Sequence, residues 1–183
     1  MNAAQQILLF LIETLFTLYI GALLLRILLA ATRADFYNPF SQFIVSITNP
    51  LILPARKLLP AIGSLDLPAW MATYLVNLIK LFLISSIASN NWPVASLLLY
   101  ALIDLAIILV TILVWVIIIL AILSWVGAAH SYQNPVIGIL RSIADPLIRP
   151  VRKVIPPIGM IDLSPMIVII GLYCVLIALK SVL

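Results

Sequence analysis

Apolar residues fall in four long blocks along the chain, at 7–31, 68–89, 103–126 and 165–183. Each block is close to the roughly 20 residues that an α-helix needs to cross about 30 Å of hydrocarbon. A further apolar stretch, 94–102, precedes the third block. Together the two are too long for one untilted span, so 94–102 is placed at the membrane interface. The pattern predicts an all-α integral membrane protein with four transmembrane helices. The first block carries Glu13 and Arg26 and lacks a basic start and a small-residue cleavage site, so it reads as a retained helix rather than a leader.

The polar intervals carry a repeat. Shifting the chain by 96 residues lays Asn38-Pro39 on Asn134-Pro135, Asn49-Pro50 on Asp145-Pro146, Pro54 on Pro150 and Arg56-Lys57 on Arg152-Lys153. The same shift lays Pro60 on Pro156, Gly63 on Gly159 and Asp66-Leu67 on Asp162-Leu163, and 15 of the 30 residues from 38 to 67 are identical. Compositional bias can match leucines but not proline, arginine, glycine and aspartate in one register. The chain is therefore read as two tandem copies, 1–93 and 94–183, each a helix, a basic proline-rich connection (38–67 and 134–163) and a second helix. Each copy crosses twice, so the copies are parallel repeats, unlike the inverted repeats of many transporters.

Charge sets the expected orientation. Arg33, Arg56 and Lys57 lie between the first two blocks, and Arg141, Arg149, Arg152 and Lys153 between the last two. The amino terminus and the turn at Asn90-Asn91-Trp92-Pro93 have no basic residue, and the far end has only Lys180. The positive-inside rule puts both connections in the cytoplasm and both termini outside. Composition agrees: of 183 residues 65% are apolar and 9% charged, with a mean hydropathy of +1.29. A soluble domain averages about 25% charged residues. The net charge of +4 is local to the connections and is read as topology, with no nucleic-acid partner.

Eleven of the twelve prolines fall in the two connections and their exits. Asn or Asp directly before Pro is a helix-start signature. Helix starts are expected at Asn38-Pro39 and Asn49-Pro50, and again at Asn134-Pro135 and Asp145-Pro146, with Pro54 and Pro150 kinking the second helix of each connection. Asp66 and Asp162 are expected near the amino termini of the next spans. In the second connection Arg141, Asp145, Arg149 and Arg152 recur every three or four residues, opposite an apolar face. That segment is expected in the headgroup plane with its apolar side down. The first connection, with Phe40, Phe43, Ile44, Ile47, Leu51 and Ile52, is expected to sit deeper. The basic pairs have two readings: attraction to anionic phospholipid, at about 1 kcal/mol per charge, or a twice-displayed docking platform for a membrane or cytoplasmic protein.

Ionisable residues inside spans are functional candidates by default. Glu13 and Lys80 lie at similar depth below the outer ends of the first two spans, and an intramembrane ion pair between them is expected, structural before transporting. The duplicate has Leu109 and Leu176 there. Asp104 is expected at the outer mouth, solvated, and Arg26 is expected to snorkel to the headgroups. Asn77, Thr14, Thr17, Ser85 and Ser86 suit bonds between helices or to their own backbone. One cysteine, Cys174, and one histidine, His130, offer no disulfide, metal or haem site within the chain. No phosphate loop, nucleophile elbow or HExxH motif occurs, so no enzyme activity and no cofactor are expected.

The run Leu25-Arg26-Ile27-Leu28-Leu29, then Asp35-Phe36-Tyr37-Asn38-Pro39-Phe40-Ser41-Gln42-Phe43, Asn49-Pro50, Pro54, Arg56-Lys57, Pro60, Gly63 and Asp66, resembles the YggT family of small bacterial membrane proteins. The second copy, with Ser124-Trp125, Asp145-Pro146-Leu147, Pro150-Val151-Arg152-Lys153, Pro156 and Ile161-Asp162-Leu163-Ser164-Pro165, is closer still to the family pattern. The first copy departs from it at Leu67-Pro68 and Leu28-Leu29. The resemblance implies a two-repeat protein of a Gram-negative inner membrane, linked to tolerance of osmotic shock. It brings no catalytic residues. Single-repeat relatives are associated with division-site gene neighbourhoods and with cytochrome and thylakoid assembly. The leading expectation is a non-catalytic assembly or membrane-organising protein, which the sequence leaves open to self-association. Ion or solute movement under osmotic shock is the alternative, and lipid or cofactor handling in a groove between the two interfacial helices is the third.

Overall fold

The computed structural model describes residues 2–58, 66–88, 92–125, 135–155 and 162–182, and among them finds six α-helices and no strand. They are α1 (Ala3–Ala31), α2 (Pro39–Leu58), α3 (Leu67–Ile87), α4 (Val94–Trp125), α5 (Pro135–Val154) and α6 (Ser164–Lys180). Three are long and apolar enough to cross a membrane: α1, α3 and, over Val94–Leu123, α4. The apolar α6 is shorter, at 17 residues. Residues 94–102, expected at the interface, continue unbroken into α4, whose 32 residues extend about 48 Å at 1.5 Å each. The expected features at Asn134, Pro60, Gly63, Pro156, Gly159, His130 and the Asn90-Asn91 turn lie outside the described residues.

Local chemistry explains the ends of α1. Asn2 caps its start by accepting from the Gln5 amide at 2.8 Å, while the Gln5 side chain accepts from the Asn2 amide at 3.0 Å. At the other end Arg33 adopts a left-handed φ of 52°. The amides of Arg33 and Ala34 then turn back to the carbonyls of Ala30 and Leu29. This Schellman arrangement tucks Ala34 against buried Leu29 and turns the chain towards α2.

Helices α2 and α5 differ from expectation. Each is one continuous helix through both of its internal prolines, Pro50 and Pro54 in α2 and Pro146 and Pro150 in α5. Asn49 and Asp145 therefore do not cap second helices, because their side chains are committed elsewhere. Asn49 accepts from Arg26 at 2.8 Å, and Asp145 accepts from Arg149 one turn on at 2.7 Å. The apolar face of α5 also departs from its expected place against a lipid surface. Ile137, Ile139, Leu140, Ile143 and Ile148 are buried in a core with Ala22 and Leu29 of α1, Val116, Ile117 and Leu120 of α4 and Val168 of α6. In α2 Ser41, Ile44, Thr48 and Ile52 are buried, while Phe40, Phe43 and Ile47 stay exposed.

Within each half the helices pack in the same order, α1 on α3 with α2 against both, and α4 on α6 with α5 against both. The inner half of α1 lies at the centre. Its Ile20, Leu23, Leu24 and Ile27 join Ile52, Ala69, Val76 and Leu105 in a second core, and Ala22 and Leu29 join the first. Arg26 lies between these residues, only 5% exposed, and does not reach outward as expected. Its Nη1 donates to Thr48 Oγ1 and Asn49 Oδ1, both at 2.8 Å, and to the Val45 carbonyl at 3.3 Å. A long cation set beside a neighbouring helix finds enough acceptors there to stay inside. Arg26→Leu should loosen α2 from α1 and cost about 1–3 kcal/mol, the worth of hydrogen bonds to a charged group. Thermal unfolding in mild detergent measures the loss, and faster amide exchange confined to α2 locates it.

Candidate functional site

The 96-residue repeat has its clearest physical expression in two equivalent clamps. Arg56 and Arg152 sit in the last turns of α2 and α5, and Asp66 and Asp162 stand just before α3 and α6. In the first half Asp66 Oδ1 accepts from the Ala69 amide at 3.3 Å while Oδ2 pairs with Arg56. In the second half Asp162 Oδ1 accepts from the Ser164 amide at 2.9 Å while Oδ2 pairs with Arg152 at 2.5 Å and 3.0 Å. One carboxylate oxygen thus serves the positive end of a helix and the other an arginine ten residues earlier. The clamp closes each basic connection onto the next helix in the chain.

This placement divides the predicted interaction residues. The guanidinium groups of Arg56 and Arg152 are directed to their aspartates, at side-chain exposures of 44% and 49%. Arg149 is tied to Asp145 on an exposed surface, a kind of pair that contributes little to stability. Lys57 and Lys153 are exposed at equivalent positions of the two halves. Arg141 is half-buried and also has an interaction. Asn38 both caps and joins. Its Oδ1 accepts from the Phe40 amide at 2.9 Å, and its Nδ2 donates to the Pro135 carbonyl at 2.6 Å, linking the start of α2 to that of α5.

The intramembrane pair is not Glu13 with Lys80. Glu13 is exposed on α1, and the Lys80 ammonium lies 2.5 Å from Asp104 of α4. Asp104 is accordingly half-buried rather than solvated at a mouth. The reason is rotational: Lys80 is 3% exposed and turns to α4. Two further bonds run alongside at the same offset of 24 residues. Asn77 Nδ2 donates to the Ala101 carbonyl at 2.9 Å and the Tyr74 hydroxyl to the Leu98 carbonyl at 3.0 Å. The repeat register hides Asp104 as a partner, because it pairs the first two spans, whereas this ladder joins the first half to the second. A signal is nonetheless present: Tyr74, Asn77 and Lys80 recur every three residues on one face of α3.

Among the described residues no cluster of His, Cys, Asp and Glu that would hold a metal ion occurs, and Cys174 is exposed. The Asn77 Oδ1 and Ser41 Oγ atoms are buried with no hydrogen-bond partner among the described residues. Chemically the arrangement positions and displays charge.

Two outcomes test this geometry. Lys80→Leu alone strands Asp104 and should cost about 3 kcal/mol, whereas Lys80→Leu with Asp104→Leu should cost less than that single change. Unfolding in detergent reads the cycle, and strictly additive losses would remove the pair. The second outcome concerns pH. Burial by itself pushes the Asp162 carboxyl up, but hydrogen bonds from Ser164 and the Arg152 guanidinium outweigh it and hold the group below the usual carboxylate range. A carboxyl that titrates lower in the folded than in the unfolded chain stabilises the fold fully above its unfolded value of about 3.9. That contribution disappears as pH falls through the folded value. The stability gap between the natural chain and Asp162→Asn, measured by unfolding from pH 7 downwards, should therefore close below about pH 4.

Comparison with known proteins finds the CCB3/YggT family profile matching the chain twice, over residues 5–87 and 99–183. A Vibrio alginolyticus protein of the proC 3′ region is 43% identical over 165 residues, covering 89% of this chain and 88% of that protein. The YggT protein of Escherichia coli K12 is 39% identical over 177 residues, covering 95% of this chain and 89% of its own length. A Pseudomonas aeruginosa protein is 37% identical over 165 residues, 89% of this chain and 83% of that protein. No solved structure matches.

Proposed function

The chain belongs to the CCB3/YggT family, and from that premise we propose that it is a non-catalytic membrane-organising protein of a bacterial inner membrane, acting under osmotic shock. In this reading α1, α3, α4 and α6 all span the bilayer. Both termini lie on the periplasmic side, and α2 and α5 lie at the cytoplasmic face. At 17 residues α6 is at the short end of the spanning range, and a short span is accommodated by local thinning or by snorkelling of a flanking residue such as Lys180.

The observation that carries this reading is the duplicated clamp. Because Arg56 and Arg152 are held by aspartates, Lys57 and Lys153 are the cations that the two halves present in matching register. Two identical charged projections on a rigid frame suit a protein partner with a repeated or extended acidic surface, and anionic lipid attracts them as well.

Lys57→Gln with Lys153→Gln removes the display and spares both clamps. Capture from native membranes in mild detergent should lose a defined set of co-purifying proteins in this double variant, with topology and thermal stability unchanged. Equal recovery with the natural chain would overturn the docking role. The alternative, ion or solute movement, is favoured by the one observation of ionisable groups at membrane depth. Among those groups Lys80 and Asp104 close on each other. A flux in reconstituted vesicles that changes with Asp104→Asn would favour that reading over the first.

A further inference from the structure

The first half buries a positive charge at a position where the second half has none. Arg26 is buried, and its bonds go to a hydroxyl, an amide oxygen and a backbone carbonyl, none of them charged. Among the described residues Arg26 has no salt bridge, and Asp66 at the start of α3 pairs with Arg56. In the second half Ile122 stands where Arg26 does, and Arg152 and Asp162 match one to one. A buried cation without its own counter-ion is expensive, and an anion that reaches it gains accordingly.

An apolar groove begins one residue past Asp66. Leu67, Trp70, Met71 and Tyr74 of α3 face Leu102, Leu105, Ala106 and Leu109 of α4 across a volume of about 460 Å³. The Tyr74 hydroxyl in its lining is already spent on the Leu98 carbonyl. Both walls belong to helices long and apolar enough to cross a membrane. Trp70 packs against, and Leu105 belongs to, the second core, which also holds Ile27 of α1 and Ile52 of α2. In the second half Met166 and Ile170 stand where Trp70 and Tyr74 do. The matching positions Met166 and Ile170 are 53% and 56% exposed.

We infer that the first half binds one anionic phospholipid, its phosphodiester at the Arg26–Arg56 end and one acyl chain along the α3–α4 groove. The surplus charge selects the headgroup sign, and the groove requires a tail, which a free phosphate ion does not have. The site needs only that the chain is embedded in lipid, and it stands or falls separately from the docking role of Lys57 and Lys153.

Trp70 provides the readout. In the full chain with Trp92, Trp115 and Trp125 changed to Phe, Trp70 fluorescence is followed in vesicles of phosphatidylcholine. Brominated phosphatidylglycerol or brominated phosphatidylcholine with the same acyl chains is then added at low mole fraction. Stronger quenching by the anionic lipid is expected. That preference should fall about fivefold in Arg26→Gln, the worth of one charge beside an anionic headgroup, and stay unchanged in Arg152→Gln. Ala106→Phe, which fills the groove on the α4 side and leaves every charge in place, should reduce quenching by both lipids. Equal quenching by the two headgroups would overturn the inference. So would a preference insensitive to Arg26→Gln, quenching by both lipids unchanged in Ala106→Phe, or a preference abolished by millimolar inorganic phosphate alone, which marks a free-anion site.

Discussion

Polar groups that enter a bundle of apolar helices must find partners within it, and this requirement organises the molecule. Lipid tails are as apolar as leucine, so burial does little to choose between one apolar helix face and another. The choice falls to the few side chains whose bonds would otherwise be lost. Arg26 holds α2 to α1, Asp66 and Asp162 close each connection onto the next helix, and Lys80 with Asp104 joins α3 to α4. The apolar contacts fill in around these joints.

The duplication and its departures do different work. Features present in both copies, the arginine clamp above all, shape each half internally. Features present once bind the halves together or set them apart. Lys80, Asn77 and Tyr74 have Leu176, Tyr173 and Ile170 as counterparts in α6, and the ladder to α4 has no counterpart there. Likewise Thr48 and Asn49, which receive Arg26, become Ala144 and Asp145, and Asp145 turns to Arg149 instead. Two copies of one sequence thereby acquire different surfaces, with the exposed aromatic face of α2 in one half and the buried apolar face of α5 in the other.

A molecule built in this way has charge in three settings: clamped, buried and displayed. The clamped arginines are architectural, Arg26 is buried, and Lys57 and Lys153 face outward. The basic pairs that read as one motif therefore split, the arginine inward to an aspartate and the lysine outward. Arg's planar fork suits a carboxylate, whereas Lys is a flexible point charge.

Much of this was legible in the residues themselves. Apolar runs and caps are local properties, so the four apolar helices and the roles of Asn38, Asp66 and Asp162 at helix starts arise from short-range chemistry. The family pattern is also carried by short motifs. Prolines misled, because Asn-Pro and Asp-Pro look like helix starts even where a continuous helix spends the Asn or Asp on a neighbouring arginine. The identity of the partners was beyond local reading. Whether Lys80 meets Glu13 or Asp104, whether Arg26 turns in or out, and whether α5 packs on protein all depend on how each helix is rotated about its own axis. A uniformly apolar helix leaves that rotation almost unspecified until the other helices are in place. The sequence by itself thus determined the apolar helices, several of their caps and the repeat, and the tertiary structure decided that each connection runs as one helix and which polar groups met.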